Sequence, residues 1–331
     1  MGDGILPAAA ALAAGIVSCL ATRALIPILR RRQLLDQPNE RSSHQVPTPR
    51  GGGIAVIGSV LLAWLVLLQA GLVPPGFSII ALGAAGLAVV SWIDDLRGLS
   101  AAVRLAAQVG AVAMGIAVLP EPQGALEGVP GSALCFMAAG VLWVWWTNLF
   151  NFMDGIDGIA ASETAAIGVG LLLLASDAAG TGPGLAWLAA AIIGASIGFL
   201  VWNWAPARIF LGDVGSVPLG YITGFLLLDL ALRGGWKAAV ILPLYFLADA
   251  TITLARRLLR GDRVWQAHRE HFYQQAVRRG LGHAAVVERV IAADIVLIGC
   301  AWAAENGWGV TALAVSVTIV ITLLAVLSRG L

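Results

Sequence analysis

The sequence predicts an all-α protein, a single polytopic bundle of about eleven transmembrane helices with the N-terminus outside and the C-terminus in the cytoplasm. Three observations carry that expectation. Of 331 residues, 59% are hydrophobic and only 12% charged, and the mean hydropathy is +0.87. Apolar runs of roughly 20 residues recur, each long enough at about 1.5 Å per residue to cross about 30 Å of hydrocarbon. Nearly all of the 20 lysines and arginines fall on alternate connections, the pattern expected of loops that face the cytoplasm.

The candidate spans follow in order. The run at 5–29 is preceded by "MGDG", which lacks a basic leader, so it is read as retained rather than cleaved. The run at 53–70 starts behind "RGGG", and 77–93 follows the connector "GLVPPG" and closes on Asp94 and Asp95. Runs at 102–119 and 132–150 flank a Pro- and Gly-rich connector, and "GTGPG" divides 159–179 from 185–204. Pro206 stops the latter, since proline offers no N–H to a helix. Runs at 214–232, 236–258, 284–305 and 308–328 complete the set, and residues 1–331 form one integral-membrane domain. Backbone groups in lipid must pair internally, and no strand-like alternation points to a barrel, so the spans are helices. Cys19, Cys135 and Cys300 lie inside apolar runs at no metal-ligand spacing and read as buried thiols. Arg23, Arg233 and Lys237 are the exceptions to the one-sided charge.

On this layout the loops at 30–52, 94–101, 151–158, 205–213 and 259–283 share one face and hold the polar residues. "LLDQPNERSSHQVPTPRGGG" ends in glycines whose backbone N–H groups an anion could approach, with Arg50 beside them. Asp94 and Asp95 repel one another at a helix C-terminus, which calls for a metal ion, a bound cation or Arg97 as compensation. In "NLFNFMDGIDGIAASE", Asp154 and Asp157 are three apart and would share a face if helical, while Asn148 and Asn151 add neutral hydrogen-bonding groups. "WNWAPARIFLGDVGS" sets Asn203 at the end of one span and Asp213, flanked by Gly212 and Gly215, at the start of the next. The loop around "HREH" gathers arginines with His268, His271 and His283, and Trp265, Phe272 and Tyr273 give it an apolar side. Each segment alone has an ordinary reading: a linker, a solvated acid pair, a helix cap, an anchor for anionic lipid. Together they suit a divalent cation bridging a diphosphate, with basic residues holding the remaining charge. Oxygen ligands favour Mg²⁺, with Mn²⁺ as substitute.

"DGIDGIAAS" touches the signature of the CDP-alcohol phosphatidyltransferases, but Ser162 stands where that pattern needs arginine and the second acid pair is missing. The ordered set "SSHQVPTPRGGG", "DDLRG", "NFMDGIDG", "NWAPARIFLGDVGS" and "HREH" instead resembles the polyprenyl-phosphate N-acetylhexosamine-1-phosphate transferases, the glycosyltransferase-4 group, over about Asp36 to Tyr273. The resemblance implies transfer of a sugar-1-phosphate from a UDP-amino sugar to undecaprenyl phosphate at the cytoplasmic face of a bacterial inner membrane, starting O-antigen or other envelope glycans. It implies Asp213 as the magnesium ligand, Asp94 and Asp95 as an acid pair required for activity, and Asp154 as a further catalytic acid. Gly155, Ile156 and Asp157 match the segment that reads uracil, Phe210 the aromatic that stacks on it, and Asn151 and Asn203 active-site amides. Arg269 with His268 and His271 matches a loop that closes over sugar and diphosphate, and Arg50 a phosphate contact. A homodimer is compatible with it; nucleic acid is not an expected partner.

Arg97 and Gly98 after the acid pair, and His-Arg-Glu-His in place of adjacent histidines, lean away from the phospho-MurNAc-pentapeptide transferases toward simple amino-sugar donors, 6-deoxy sugars included. The competing class is a transporter, which would place charged or broken helices near the midplane. Asp249, inside the ninth run, is an intramembrane acid for which a structural ion pair or buried hydrogen bond is at least as good a reading as function.

Overall fold

The computed structural model describes residues 5–37, 46–123, 132–176, 183–263 and 268–330. "PNERSSHQ" of the first loop, the "DAA" that ends the 159–179 run, the connectors beside it and Trp265 lie outside the described residues.

The helices follow the apolar runs in order: α1 (Ile5–Arg31), α2 (Gly53–Gln69), α3 (Phe77–Arg97), α4 (Ala101–Ile116), α5 (Ser132–Met153), α6 (Ile159–Ser176), α7 (Pro183–Asn203) and α8 (Asp213–Leu230). Beyond them come α9 (Trp236–Ile241), α10 (Leu244–Leu259), α11 (Phe272–Arg278), α12 (His283–Ala303) and α13 (Gly309–Arg329). Three features differ from the expectation. Leu35–Asp36 and Thr48–Pro49 pair as a short antiparallel ribbon, β1 and β2, so the fold is nearly rather than wholly α-helical. The ninth run is two helices, because Pro243 supplies no N–H where α9 would continue. The basic loop contains a helix of its own, α11.

Among the described residues, six helical stretches are long and apolar enough to cross a membrane: Pro7–Arg31, Phe77–Arg97, Ala133–Met153, Gly184–Asn203, Asp213–Ile241 and His283–Arg329. The last, 47 residues, holds both α12 and α13, divided by non-helical backbone at Asn306 and Gly307. Helices α2, α4 and α6 are apolar but shorter. The chain is a multi-pass membrane protein.

The core is built around α8, nearly all of it buried, with α2, α3, α5 and α6 packed on it. Aromatic residues with a polar handle lock it in place. The Trp143 ring stacks on Tyr221 at 4.8 Å, and its indole N–H donates to the Tyr221 carbonyl at 2.8 Å. The Tyr221 hydroxyl donates in turn to the Ala111 carbonyl of α4 at 3.1 Å. Trp146 donates to the Thr223 hydroxyl at 3.0 Å. On the opposite flank α1 and α7 meet through small residues: a Cβ at Gly15 would lie 3.1 Å from the Gly194 carbonyl, and Cβ atoms at Gly194 and Gly198 would strike the Ala11 and Gly15 carbonyls. Such close backbone approach is how helices associate without a hydrophobic drive between them.

Helices α1, α3, α5 and α7 end, and α2, α4, α6, α8 and α12 begin, beside the polar loops. That alternation brings five segments separated in sequence to one end of the bundle.

Candidate active site

The site is assembled from helix ends. Residues 49–53 lie along residues 210–211: Phe210 N–H donates to the Pro49 carbonyl at 2.8 Å, Gly52 N–H to the Phe210 carbonyl at 2.8 Å, and Gly53 N–H to the Leu211 carbonyl at 2.8 Å. This strap sets the start of α2 against the start of α8. Only glycine fits there, since a Cβ on Gly53 would collide with Gly215 backbone. Two helix N-termini, each carrying the partial positive charge of its dipole, converge as a result.

Arg50 projects from the strap into the acids. One of its nitrogens, Nη2, sits 2.8 Å from Asp95 Oδ1 and 2.7 Å from Asp213 Oδ1. Asp95 also accepts from the backbone N–H groups of Asp213 at 3.3 Å and Val214 at 3.0 Å, so it caps α8 from α3. Gly212, at φ +75°, makes the turn that lets α8 begin against Asp95. The Asp95 side chain is 3% exposed and that of Asp213 19%, which leaves Asp213 the open member of the pair. Burial opposes the Arg50 charge, but Asp213, Asp95, Asp36 and Asp154 together raise its pKa.

Asp154 lies in the loop after α5. Burial first, and then the Asp213 charge, push its carboxyl up to about 7 against the lowering pull of Arg50. Asp154 and Asp157 do not share a helical face, because residues 154–158 are loop and turn. Asp157 turns the other way, accepting from Ala207 N–H at 3.0 Å, with His283 Nδ1 3.2 Å away. Asn203 donates to the Ile209 carbonyl and accepts from Gly158 N–H, both at 2.9 Å, joining the two loops that carry the acids. Asn151 accepts from the Ser216 hydroxyl of α8. Ile156 is buried, while Gly155 and Phe210 are half-buried.

Asp94 is set apart from its neighbour. It accepts from Leu99 N–H and pairs with Arg104 at 3.2 Å, pinning the α3–α4 turn. The compensation for the adjacent acids therefore comes from Arg104 and Arg50 in place of Arg97.

A second group forms around Asp249 of α10. Its carboxylate accepts from the Phe272 and Tyr273 N–H groups at 3.0 and 3.2 Å and lies 3.1 Å from His271 Nδ1, while the Tyr245 and Thr253 hydroxyls reach it at 3.3 and 3.4 Å. The buried acid is thus a cap on α11, and it orients the His-Arg loop. The His268 ring stands 4.9 Å from that of His271. Tyr273 connects this group to the first, its hydroxyl donating to the Phe152 carbonyl at 3.0 Å, and Gly155 lies so close that a Cβ there would strike the same hydroxyl. Arg269 sits in the segment between, its carbonyl accepting from the Gln275 amide.

Among the described residues, no three His, Cys, Asp or Glu side chains gather in a metal-holding cluster. The Asp95–Asp213 pair nonetheless fits Mg²⁺, which is usually held by one or two carboxylates together with substrate phosphates and water. Arg50 Nη2 already occupies the point between the two oxygens where a cation is needed.

The family described as glycosyl transferase family 4 matches residues 77–231. A probable undecaprenyl-phosphate N-acetylglucosaminyl 1-phosphate transferase of Bacillus subtilis is 31% identical over 81% of this chain and 77% of its own length. A phospho-N-acetylmuramoyl-pentapeptide-transferase of Mycolicibacterium gilvum is 31% identical over 70% of this chain and 77% of its own. One of Mycobacterium tuberculosis is 33% identical over 71% and 78%.

Proposed function

The chain belongs to the polyprenyl-phosphate N-acetylhexosamine-1-phosphate transferases of glycosyl transferase family 4, and from that premise we propose that it transfers an N-acetylhexosamine-1-phosphate, 6-deoxy sugars included, from a UDP-sugar to undecaprenyl phosphate. The class, a sugar-phosphate transferase acting on a polyprenyl phosphate, comes with the family. The observation that carries the finer reading is the convergence of Arg50, Asp95, Asp154 and Asp213 on two helix N-termini at the basic end of the bundle. The one-sided Lys/Arg distribution supports a cytoplasmic location for that end, in a bacterial inner membrane.

In this mechanism Asp213 and, behind it, Asp95 would be the residues that hold Mg²⁺. The ion would supply charge neutralisation for the donor diphosphate. Arg50 and the positive ends of the α2 and α8 dipoles would favour the same phosphates. Ile156 and Phe210 would meet the uracil, as the resemblance to the family implies. His268 and Arg269, steadied through Asp249, close over the sugar. An oxygen of the acceptor monophosphate forms a bond to the donor's β-phosphorus as the bond to the bridging oxygen breaks, and UMP leaves with that oxygen. The monoester's second pKa is about 6, so the nucleophile is ionised without a protein base. Asp95, engaged by Arg50 and two N–H groups, then serves to position, and Asp94 to brace the α3–α4 turn. The catalytic effect is orientation and electrostatics.

The test is release of UMP from a panel of UDP-amino sugars and from UDP-MurNAc-pentapeptide, with purified protein, undecaprenyl phosphate and Mg²⁺, and with EDTA as control. Release that requires lipid and metal names the donor. Turnover confined to the pentapeptide donor moves the assignment to the peptidoglycan branch. Silence from every donor with folded protein overturns the reading.

A further inference from the structure

A cavity is lined in part by α11. It measures about 230 Å³ and is lined by Arg256 and Thr253 of α10, Phe272, Gln275 and Arg279 at α11, and Ser328 of α13, with Arg260 and Glu270 at its rim. Several water volumes of about 30 Å³ fit such a space, as does a phosphate group. Residues 272, 275 and 279 fall on one face of α11 by helical spacing, while Tyr273 turns toward Phe152 and the candidate active site.

The charges in it are unequal in their partners. Glu270 is taken up by Arg260 and by Arg257 at 3.6 Å. Among the described residues neither Arg256 nor Arg279 pairs with a carboxylate. The Arg256 guanidinium rests on the Phe272 ring, 4.9 Å from its centre, which fixes its plane and leaves its N–H edges open. Arg256 lies in the last turn of α10 and Arg279 directly follows α11, so the negative end of each helix dipole favours a basic residue there. The dipoles do not by themselves set both arginines in the lining of one polar cavity with a hydroxyl and an amide at its walls.

We propose that this cavity is an anion site for a phosphate group, and that its occupant is the headgroup of an anionic phospholipid from the leaflet on the basic side. It rests on the orientation used for the transferase reading, which puts the cavity at headgroup depth. Occupancy would bear on α11, and Thr253 joins the cavity to the Asp249 carboxylate that caps α11. A bound headgroup thus steadies the His-Arg loop without touching the reacting atoms.

The test uses full-length protein in nanodiscs of phosphatidylcholine with a minor fraction of phosphatidylglycerol, and no donor. Native mass spectrometry counts retained phosphatidylglycerol, and hydrogen exchange follows residues 268–279. Arg256→Gln with Arg279→Gln is expected to weaken retention by roughly tenfold or more, at the surface value of an arginine each, and to speed exchange in that segment. Arg256→Lys with Arg279→Lys keeps most of the retention and shows that the fold survives. Arg31→Gln with Arg32→Gln removes equal charge elsewhere on that side and leaves retention unchanged. Equal loss in that control pair, or none in the Arg256/Arg279 glutamine pair, overturns the site. If inorganic phosphate in phosphatidylcholine alone slows exchange as much as the lipid does, the lipid source is overturned. Because no donor is present, failure here leaves the transferase assignment standing, and failure of UMP release leaves this one standing.

Discussion

Arg50 holds one nitrogen against two carboxylates, and that single contact sets what point substitutions should do. Asp213→Ala is expected to lower turnover by about 10²–10³ or more while the protein still inserts and purifies, read by UMP release. Arg50→Ala should divide two properties: Mg²⁺ alone binds more tightly once the competing guanidinium is gone, seen by calorimetry, while transfer slows. Asp154, up at about 7 by burial and the Asp213 charge, has a pKa above that of the unfolded chain. Its contribution to stability is therefore full below about 4, where both states are protonated, and is lost as pH rises through 7. Its ionised form suits cation binding, so Mg²⁺ affinity should rise across pH 6–8, and Asp154→Asn should flatten that rise. The residue types were readable from sequence because carboxylates and glycines stand out in an apolar chain. Their division of labour was not: Asp94 and Asp95 are neighbours in sequence, yet only three-dimensional placement gives one to Arg104 and the other to Arg50. Ser216 and Arg104 carried no signal at all, and Tyr273 was read only as part of an apolar side, because their partners are distant in the chain.

At the scale of elements, the site depends on where helices start. Gly53→Ala would drive a methyl into Gly215, parting α2 from α8. A cost of about 1–3 kcal/mol and loss of activity are expected, measurable by thermal unfolding in detergent beside the UMP assay. For α11, Asp249→Ala removes the acceptor for two backbone N–H groups. A loss of roughly 1–3 kcal/mol should accompany faster proteolysis within 260–283, whereas Asp249→Asn, which keeps an acceptor oxygen, should fall between. Hydropathy located the long helices to within a few residues, since a span is specified by length and composition alone. It did not reveal α11, seven residues whose order comes from Asp249, nor the ribbon at 35–36 and 48–49, too short to leave a periodic trace.

For the molecule as a whole, the alternation of helix directions delivers five loops to one end, and this much follows from counting apolar runs and basic residues. The sidedness is open to test. In a variant without Cys19, Cys135 and Cys300, a cysteine at Arg32 should react with a membrane-impermeant reagent only from the cytoplasmic side, and one at Leu72 only from the opposite side; reaction of both from one side would reverse or undo the layout. Contacts between helices far apart in the sequence were beyond a pattern reading, and the pairing of α1 with α7 through Gly15, Gly194 and Gly198 is the largest of them. That pairing has a consequence in time. At 5–20 residues per second of synthesis, the roughly 150 residues between the two helices take on the order of ten to thirty seconds to appear. Through that interval the first helix waits in lipid without its companion, its glycine notch open to any other small-faced helix nearby. Biogenesis of this protein therefore has a vulnerable window between the synthesis of α1 and that of α7, when a foreign helix could take the seat meant for α7.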